Sequence, residues 1–187
     1  MLVYRVFPQL PSAAVGTLGH AQYLHAKQGL GRLDNPGHYL VWYLACSPTG
    51  AIGETFADLD IWSDSMFVYP GLAGSRRSLA TYSIPDDLPL LDLDDAKNLL
   101  DRGLRPTQVV ERNRSATQAW ALRIFDERND RGSRMWNGVK WWSIHRPQWE
   151  NIGYWGNAAP TVENVETLTT SHAALKDAAR ALSKPIV

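Results

Sequence analysis

The stretch that decides the fold runs GLGRLDNPG (29–37), HYLVWYLA (38–45) and CSPTGAIGE (46–54). Its first part is glycine-rich and punctuated by Asn35-Pro36-Gly37, the chemistry of a turn. The second is a nearly unbroken apolar run of strand length without alternation, which predicts a strand at His38–Ala45 covered on both faces. Ser47 followed by Pro48 then signals a helix start: the hydroxyl caps free N–H groups, and proline sits where its missing donor costs nothing. A helix is predicted over 48–58. Gly50 and Gly53 each weaken it by about 1 kcal/mol relative to alanine, so close approach of another chain segment or a ligand is expected there.

Working outward, Leu2–Phe7 is apolar and β-branched, and Pro8 and Pro11 end it, giving a first strand. Residues 16–37 read mostly as loop, with a short strand around Gly29–Leu33. The 62–89 block predicts two short strands and an irregular loop around Gly71–Arg77. Leu88–Leu93 reads as a strand, and Asp94 as the cap of a short helix ending at Gly103. Ser115–Glu127 is the plainest helix, with Ser115 and Gln118 in capping-box spacing. Val139–Ser143 and Asn151–Trp155 read as strands about a polar turn at His145–Gln148, and an amphipathic helix over Ser171–Leu182 stops before Pro185. No repeat or linker divides the chain. The expectation is one domain over 1–187 of α/β or α+β class, with a central sheet flanked by helices.

At 187 residues and 44% hydrophobic content the chain can bury a sizeable core. Lys plus Arg and Asp plus Glu both total 19, so no net field attracts a polyanion, and nucleic acid is disfavoured as a partner. One cysteine, Cys46, permits no internal disulfide, and no Cys/His spacing suggests zinc. Cys46 ends an apolar run and reads as a small buried thiol rather than a nucleophile. No leader pattern opens the sequence and no apolar stretch reaches about 18 residues, so neither secretion nor membrane insertion is expected and a cytosolic location fits best.

The Gly29–Glu54 segment places a guanidinium, a phenol and a carboxylate on successive elements. Arg32, flanked by glycines that let a ligand approach the backbone, suits bidentate grip of phosphate. The Tyr43 ring offers a stacking face for a flat heterocycle. Glu54 can stabilise positive charge developing on a sugar ring. Their commonplace placements are a surface arginine, a core aromatic and an exposed helix residue, and on residue chemistry alone the function stays open. His20 and His25 are loop histidines that could border such a site, with exposed or structural placement the ordinary alternative. Trp136, Trp141, Trp142, Trp149 and Trp155, without interleaved basic residues, read as core or as a partner surface.

The order YRV (4–6), GLGRLDNPG (29–37), WYLACSPTGAIGE (42–54), LLDL (90–93), TQAWA (117–121) and GVKWWS (138–143) resembles the RES-domain family of bacterial toxins along nearly the whole chain. That resemblance implies an ADP-ribosyltransferase-like fold with a mixed or split sheet, and degradation of NAD. The family arginine matches Arg32, the aromatic of its Tyr-x-Ala pattern Tyr43, and its glutamate Glu54. The family serine matches Ser143 at the end of a Gly-hydrophobic strand; Ser115, before a helix start, is the rival, its plain reading being a helix cap. Leu33 and Asp34 follow Arg32 where many relatives carry an aromatic and then Asn or Asp, so Leu33 is the departure, which bears on how the adenosine half is held.

The resemblance further implies cleavage of the nicotinamide–ribose bond with inorganic phosphate or water as acceptor. Arg32 would hold pyrophosphate, Tyr43 nicotinamide, Glu54 the ribosyl cation, and Ser143 or Ser115 ribose or phosphate. NAD is then substrate, and neither cofactor nor metal is needed. It implies too an Xre-like antitoxin covering the site, in a toxin–antitoxin complex or alongside a homo-oligomer. Transfer of ADP-ribose to a protein or small acceptor is the alternative reaction, and a non-catalytic interaction protein the alternative class.

Overall fold

The computed structural model describes residues 1–156 and 158–187. Its strands are β1 (Leu2–Gln9), β2 (Trp42–Ala45), β3 (Arg76–Ser83), β4 (Leu90–Asp92), β5 (Gly138–Trp142), β6 (Glu150–Tyr154) and β7 (Thr161–Thr167). The helices are α1 (Pro48–Phe56), α2 (Ala96–Asp101), α3 (Pro106–Val110), α4 (Arg114–Phe125) and α5 (Ala173–Ala181), with a single 3₁₀ turn at Asp64–Phe67. The strands form one seven-stranded sheet in the order β4-β5-β6-β2-β1-β3-β7. Only β4 and β5 run parallel; every other neighbouring pair is antiparallel. This is the mixed α/β arrangement that the alternation of strand and helix signals implied.

Alternation along the strands sorts the core. Val3, Phe7, Trp42, Leu44, Ile152 and Tyr154 face one side, where Ala21 and the partly buried Leu24 of the N-terminal loop cover them. On the other side α1 and α5 enclose Ala45, Ile52, Phe56, Trp149 and Leu175. There α4 lays Trp120, Ile124 and Phe125 near Leu91, Val139 and Trp141.

One seam in this sheet is weak. β1 pairs with β3 at every position from Leu2 to Gln9, and β2 pairs with β6 along its whole length. Between β1 and β2 the register holds a single pair, Tyr4 with Ala45. The two strands splay apart there, and the sheet is split.

Several elements differ from what the sequence predicts. Residues 29–33 form turns and bends rather than a short strand. The apolar run becomes strand only at Trp42, because the Gln28 side chain donates to the Val41 carbonyl and accepts from its N–H, both at 2.8 Å, in place of a ladder neighbour. One eight-residue strand, β3, replaces part of the predicted 71–77 loop and one of two short strands. Asp95, not Asp94, caps α2. Asn113, not Ser115, caps α4, accepting from the Ala116 N–H at 3.2 Å. The side chain of Gln118 is thereby free for other partners. The five-residue α3 and the polar edge strand β7 carry no strong periodicity and are absent from the sequence reading.

Ser47 does cap α1, its hydroxyl accepting from Gly50 N–H at 3.0 Å. The reason for the small residue at Gly53 is another chain segment, the Trp149 indole. A Cβ at Gly50 would sit 3.5 Å from the Trp149 Cβ, and one at Gly53 would overlap the ring itself. We expect Gly53→Ala to destabilise the protein by about 1–3 kcal/mol through overpacking, despite alanine's better helix propensity. Urea unfolding checks the sign: a variant more stable than wild type would show that Trp149 can move aside.

A candidate active site in the split of the sheet

The glycine turn that carries Arg32 is tied down by hydrogen bonds that converge on Asp34, itself 5% exposed. One carboxylate oxygen accepts from the N–H groups of Gly29 and Gly31, both at 2.7 Å. The other accepts from the Tyr43 hydroxyl at 2.7 Å, and that hydroxyl accepts in turn from the Leu33 N–H at 2.8 Å. Burial, reinforced by the bond to Asp34, pushes the Tyr43 phenol well above its ordinary value, so it stays a neutral donor. A Cβ at Gly31 would collide with that phenol. From the far side α4 adds a clamp: the Gln118 amide donates to the carbonyls of Gly29 at 3.0 Å and Gly31 at 2.9 Å.

Arg32 leaves this turn toward α3. Its guanidinium donates to the carbonyls of Val109, of Glu111 at 2.8 Å and of Val110 at 3.4 Å, satisfying free carbonyls at a helix end. Burial pushes it below the ordinary arginine value, and the like charge of Arg114 adds to this. Glu54, Tyr43 and Glu111 act in the opposite sense. Arg32 and Glu54 therefore share one electrostatic neighbourhood.

Where β1 and β2 part, a cleft of about 250 Å³ opens. Tyr4 and Val6 line it from β1, Tyr43 from β2, Glu54 from α1, Trp141 from β5 and Asn151 from β6. Glu54 is solvent-exposed, and Asn151, 6% exposed, donates from Nδ2 to its Oε1 at 3.0 Å. An aromatic ring, an oriented carboxylate and a partly enclosed volume thus meet in the split. Arg32 lies beside the cleft, not among its lining residues.

Two functional candidates escape the sequence reading. Asn151 is a polar residue in a strand whose other residues are mostly buried, a mismatch that could have singled it out. Arg5 lies along the cleft in β1, but its side chain points to the Trp42 face, packing over the Trp42 ring at 5.3 Å and donating to the Tyr23 carbonyl at 3.2 Å. It has no carboxylate partner among the described residues. Burial pushes its guanidinium below the ordinary value. Only its position within YRV marked it.

The two serines are placed differently. Ser143, 1% exposed, lies just beyond β5, and its hydroxyl accepts from the His145 N–H at 3.0 Å and the Arg146 N–H at 3.4 Å. Those bonds cap a turn, and Ser143 does not line the cleft. Ser115 is exposed in the first turn of α4, one turn ahead of Gln118 on the same side of the helix. It therefore stands at the end of α4 that meets the Arg32 turn. His20 and His25 border a separate hollow that shares Arg5. Each uses its Nδ1 to accept a local backbone N–H. Trp141, Trp149 and Trp155 are buried and Trp136 and Trp142 half-buried, so the tryptophans pack as core and form no surface platform. Cys46 is half-buried, its thiol pushed up to about 11 by burial first and by Glu150 second. No group of three or more metal-ligating side chains is assembled among the described residues, and none of the helices among them is long and apolar enough to cross a membrane.

Residues 2–177 match the family model for the RES domain. No curated protein matches in sequence. The fold is similar to a chain in the crystal structure of the M. tuberculosis MbcT-MbcA toxin–antitoxin complex, with a TM-score of 0.61, 15% sequence identity, and coverage of 98% of this chain and 89% of that one.

Removing the Tyr43 hydroxyl leaves the buried Asp34 carboxylate one donor short and the Leu33 N–H without its acceptor. Tyr43→Phe should therefore cost about 1–3 kcal/mol of stability. Thermal and denaturant unfolding measure this, and a cost near zero would show that the turn does not hang on that hydroxyl.

Proposed function

Because the chain belongs to the RES domain family, we propose that it is the toxin of a toxin–antitoxin system and that it breaks the nicotinamide–ribose bond of NAD in the split between β1 and β2. The observation that carries this reading is the Glu54 carboxylate, held by Asn151 at the mouth of an aromatic-walled cleft with Arg32 alongside.

Nicotinamide in NAD is a cationic leaving group. When the glycosidic C–N bond breaks, its electron pair goes to the ring nitrogen, nicotinamide departs neutral, and the positive charge passes to the ribose carbon and ring oxygen. No proton has to be delivered to the leaving group, so catalysis is positioning plus electrostatics. Glu54 stabilises the ribosyl cation, Tyr43 presents its ring to nicotinamide, and Arg32 holds the pyrophosphate. Arg32 does so with the N–H groups that the carbonyls of residues 109–111 leave free. Ser115, at the end of α4 that meets the Arg32 turn, or Ser143, beyond β5, positions ribose or phosphate.

The cation is then captured by phosphate, giving a sugar phosphate ester, or by water, which loses a proton and gives ADP-ribose. We favour phosphorolysis, since the Arg32 guanidinium beside the cleft keeps N–H groups free for an anionic acceptor. NAD is consumed as substrate, with no resident cofactor. An Xre-like antitoxin would cover the exposed Glu54 and the cleft mouth, in the cytosol.

Glu54→Gln keeps the side-chain volume and removes the charge. The expected result is a fall in NAD turnover of about 10²–10³-fold with an unchanged melting temperature, followed by NAD consumption with purified protein. Turnover equal to wild type in a folded variant would sink the assigned role of Glu54. Mass analysis of the sugar product with and without phosphate separates the two acceptors.

A further inference from the structure

Trp42 and Tyr43 are consecutive on β2, so their side chains point to opposite faces of the sheet. Tyr43 lines the cleft described above, whereas Trp42 borders a second hollow of about 450 Å³. Tyr39, Phe125 and Trp155 give this hollow aromatic walls, and His38 and Arg134 are the cationic or ionisable residues on it. The two cavities have no lining residue in common.

Arg134 is the unusual group. Its guanidinium carbon lies 4.1 Å from the centroid of the Phe125 ring, so the fork is held by stacking. The Nε is buried without a partner. Among the described residues its side chain makes no ion pair and no hydrogen bond, while the acids nearby in sequence are committed elsewhere. Glu127 accepts both forks of Arg102, at 2.7 and 2.6 Å, and the Trp136 indole N–H at 2.7 Å. Asp126 stands 3.9 Å from Arg128. Arg128, the bridge partner of Arg134 across the same hairpin, spends its own donors on the carbonyls of Phe125 and Glu127. One arginine of the pair closes the helix end; the other is left facing the hollow.

A stacked, fork-shaped guanidinium with unspent donors is a receptor for carboxylate or phosphate, and more so where water is partly excluded. Aromatic walls beside it take a flat ring. We propose that this hollow is a second binding site, for a small planar molecule that carries an oxyanion. Arg134 receives the anion in two parallel N–H···O bonds, and the ring packs against Tyr39 and Trp155. His38, exposed at the rim, adds a further donor. This site does not depend on the proposed reaction, because it uses none of the residues assigned to it.

The test uses matched pairs that differ only in the anion: nicotinate against nicotinamide and adenosine monophosphate against adenosine, titrated into the purified protein by calorimetry. Tryptophan emission gives a second readout through Trp42 and Trp155. At least one anion is expected to bind about tenfold or more tightly than its neutral counterpart, and Arg134→Met to abolish that preference. Arg134→Lys, which keeps the charge and loses the fork, should fall between the two. Which pair responds tells carboxylate from phosphate as the source of the anion. Failure of both anions to bind, equal binding of anion and neutral partner, or a preference that survives in Arg134→Met would each overturn the proposal. Should the methionine variant melt early, the wild-type pairs and the lysine variant still decide it.

Discussion

A single buried hydroxyl holds the candidate site in place. Tyr43 belongs to the β2 ladder, while Arg32 and Asp34 lie on a turn that has no ladder of its own. The hydroxyl joins them by donating to Asp34 and accepting from Leu33. Asp34 passes the constraint on to the N–H groups of Gly29 and Gly31. Arg32 is thereby aimed at the end of α3, and the Gln118 clamp locks the same turn to α4. Glycine at position 31 is required because nothing larger fits beside the phenol. Strand and two helices thus meet around one glycine turn.

The second constraint is the split itself. A sheet whose strands all pair has no room within its plane for a ligand; here the ladder between β1 and β2 holds only the Tyr4–Ala45 pair. The outer half of the molecule, β1-β3-β7, and the inner half, β4-β5-β6-β2, are each well paired, and the cleft lies where the ladder between them fails. The packing of α1 against the Trp149 ring brings Ala51, Glu54 and Thr55 to the cleft wall. Gly50 and Gly53 let the helix approach closely enough for Glu54, one residue on, to reach the Asn151 amide.

Much of this was legible in the sequence, and the failures have physical causes. The Ser47-Pro48 start and the need for a small residue in α1 are local signals and appear as read, while the apolar run gives a strand only in its second half. Which segment fills the space at Gly53 was not readable, because Trp149 comes from a turn far along the chain, just before β6. The exact cap of α4 slipped from Ser115 to Asn113, since both residue types cap well and only tertiary contacts choose between them. That slip released Gln118 for the glycine turn. Position along the chain cannot tell that the Ser143 hydroxyl caps a turn or that Asn151 steadies a carboxylate on another element. Arg5 was passed over for the same reason: a guanidinium without an acid partner is recognisable only once its neighbours are known. Strand β7 was missed because an exposed edge strand has no buried face to impose alternation.

The central claim is that this cleft separates nicotinamide from ribose. Proton NMR of NAD mixed with the purified wild-type protein tests it most directly, because free nicotinamide has ring resonances distinct from those of the dinucleotide. The account predicts that nicotinamide appears in step with the loss of NAD, one molecule for each, at catalytic amounts of protein. NAD that stays intact at micromolar protein, or that is lost without release of nicotinamide, would contradict it.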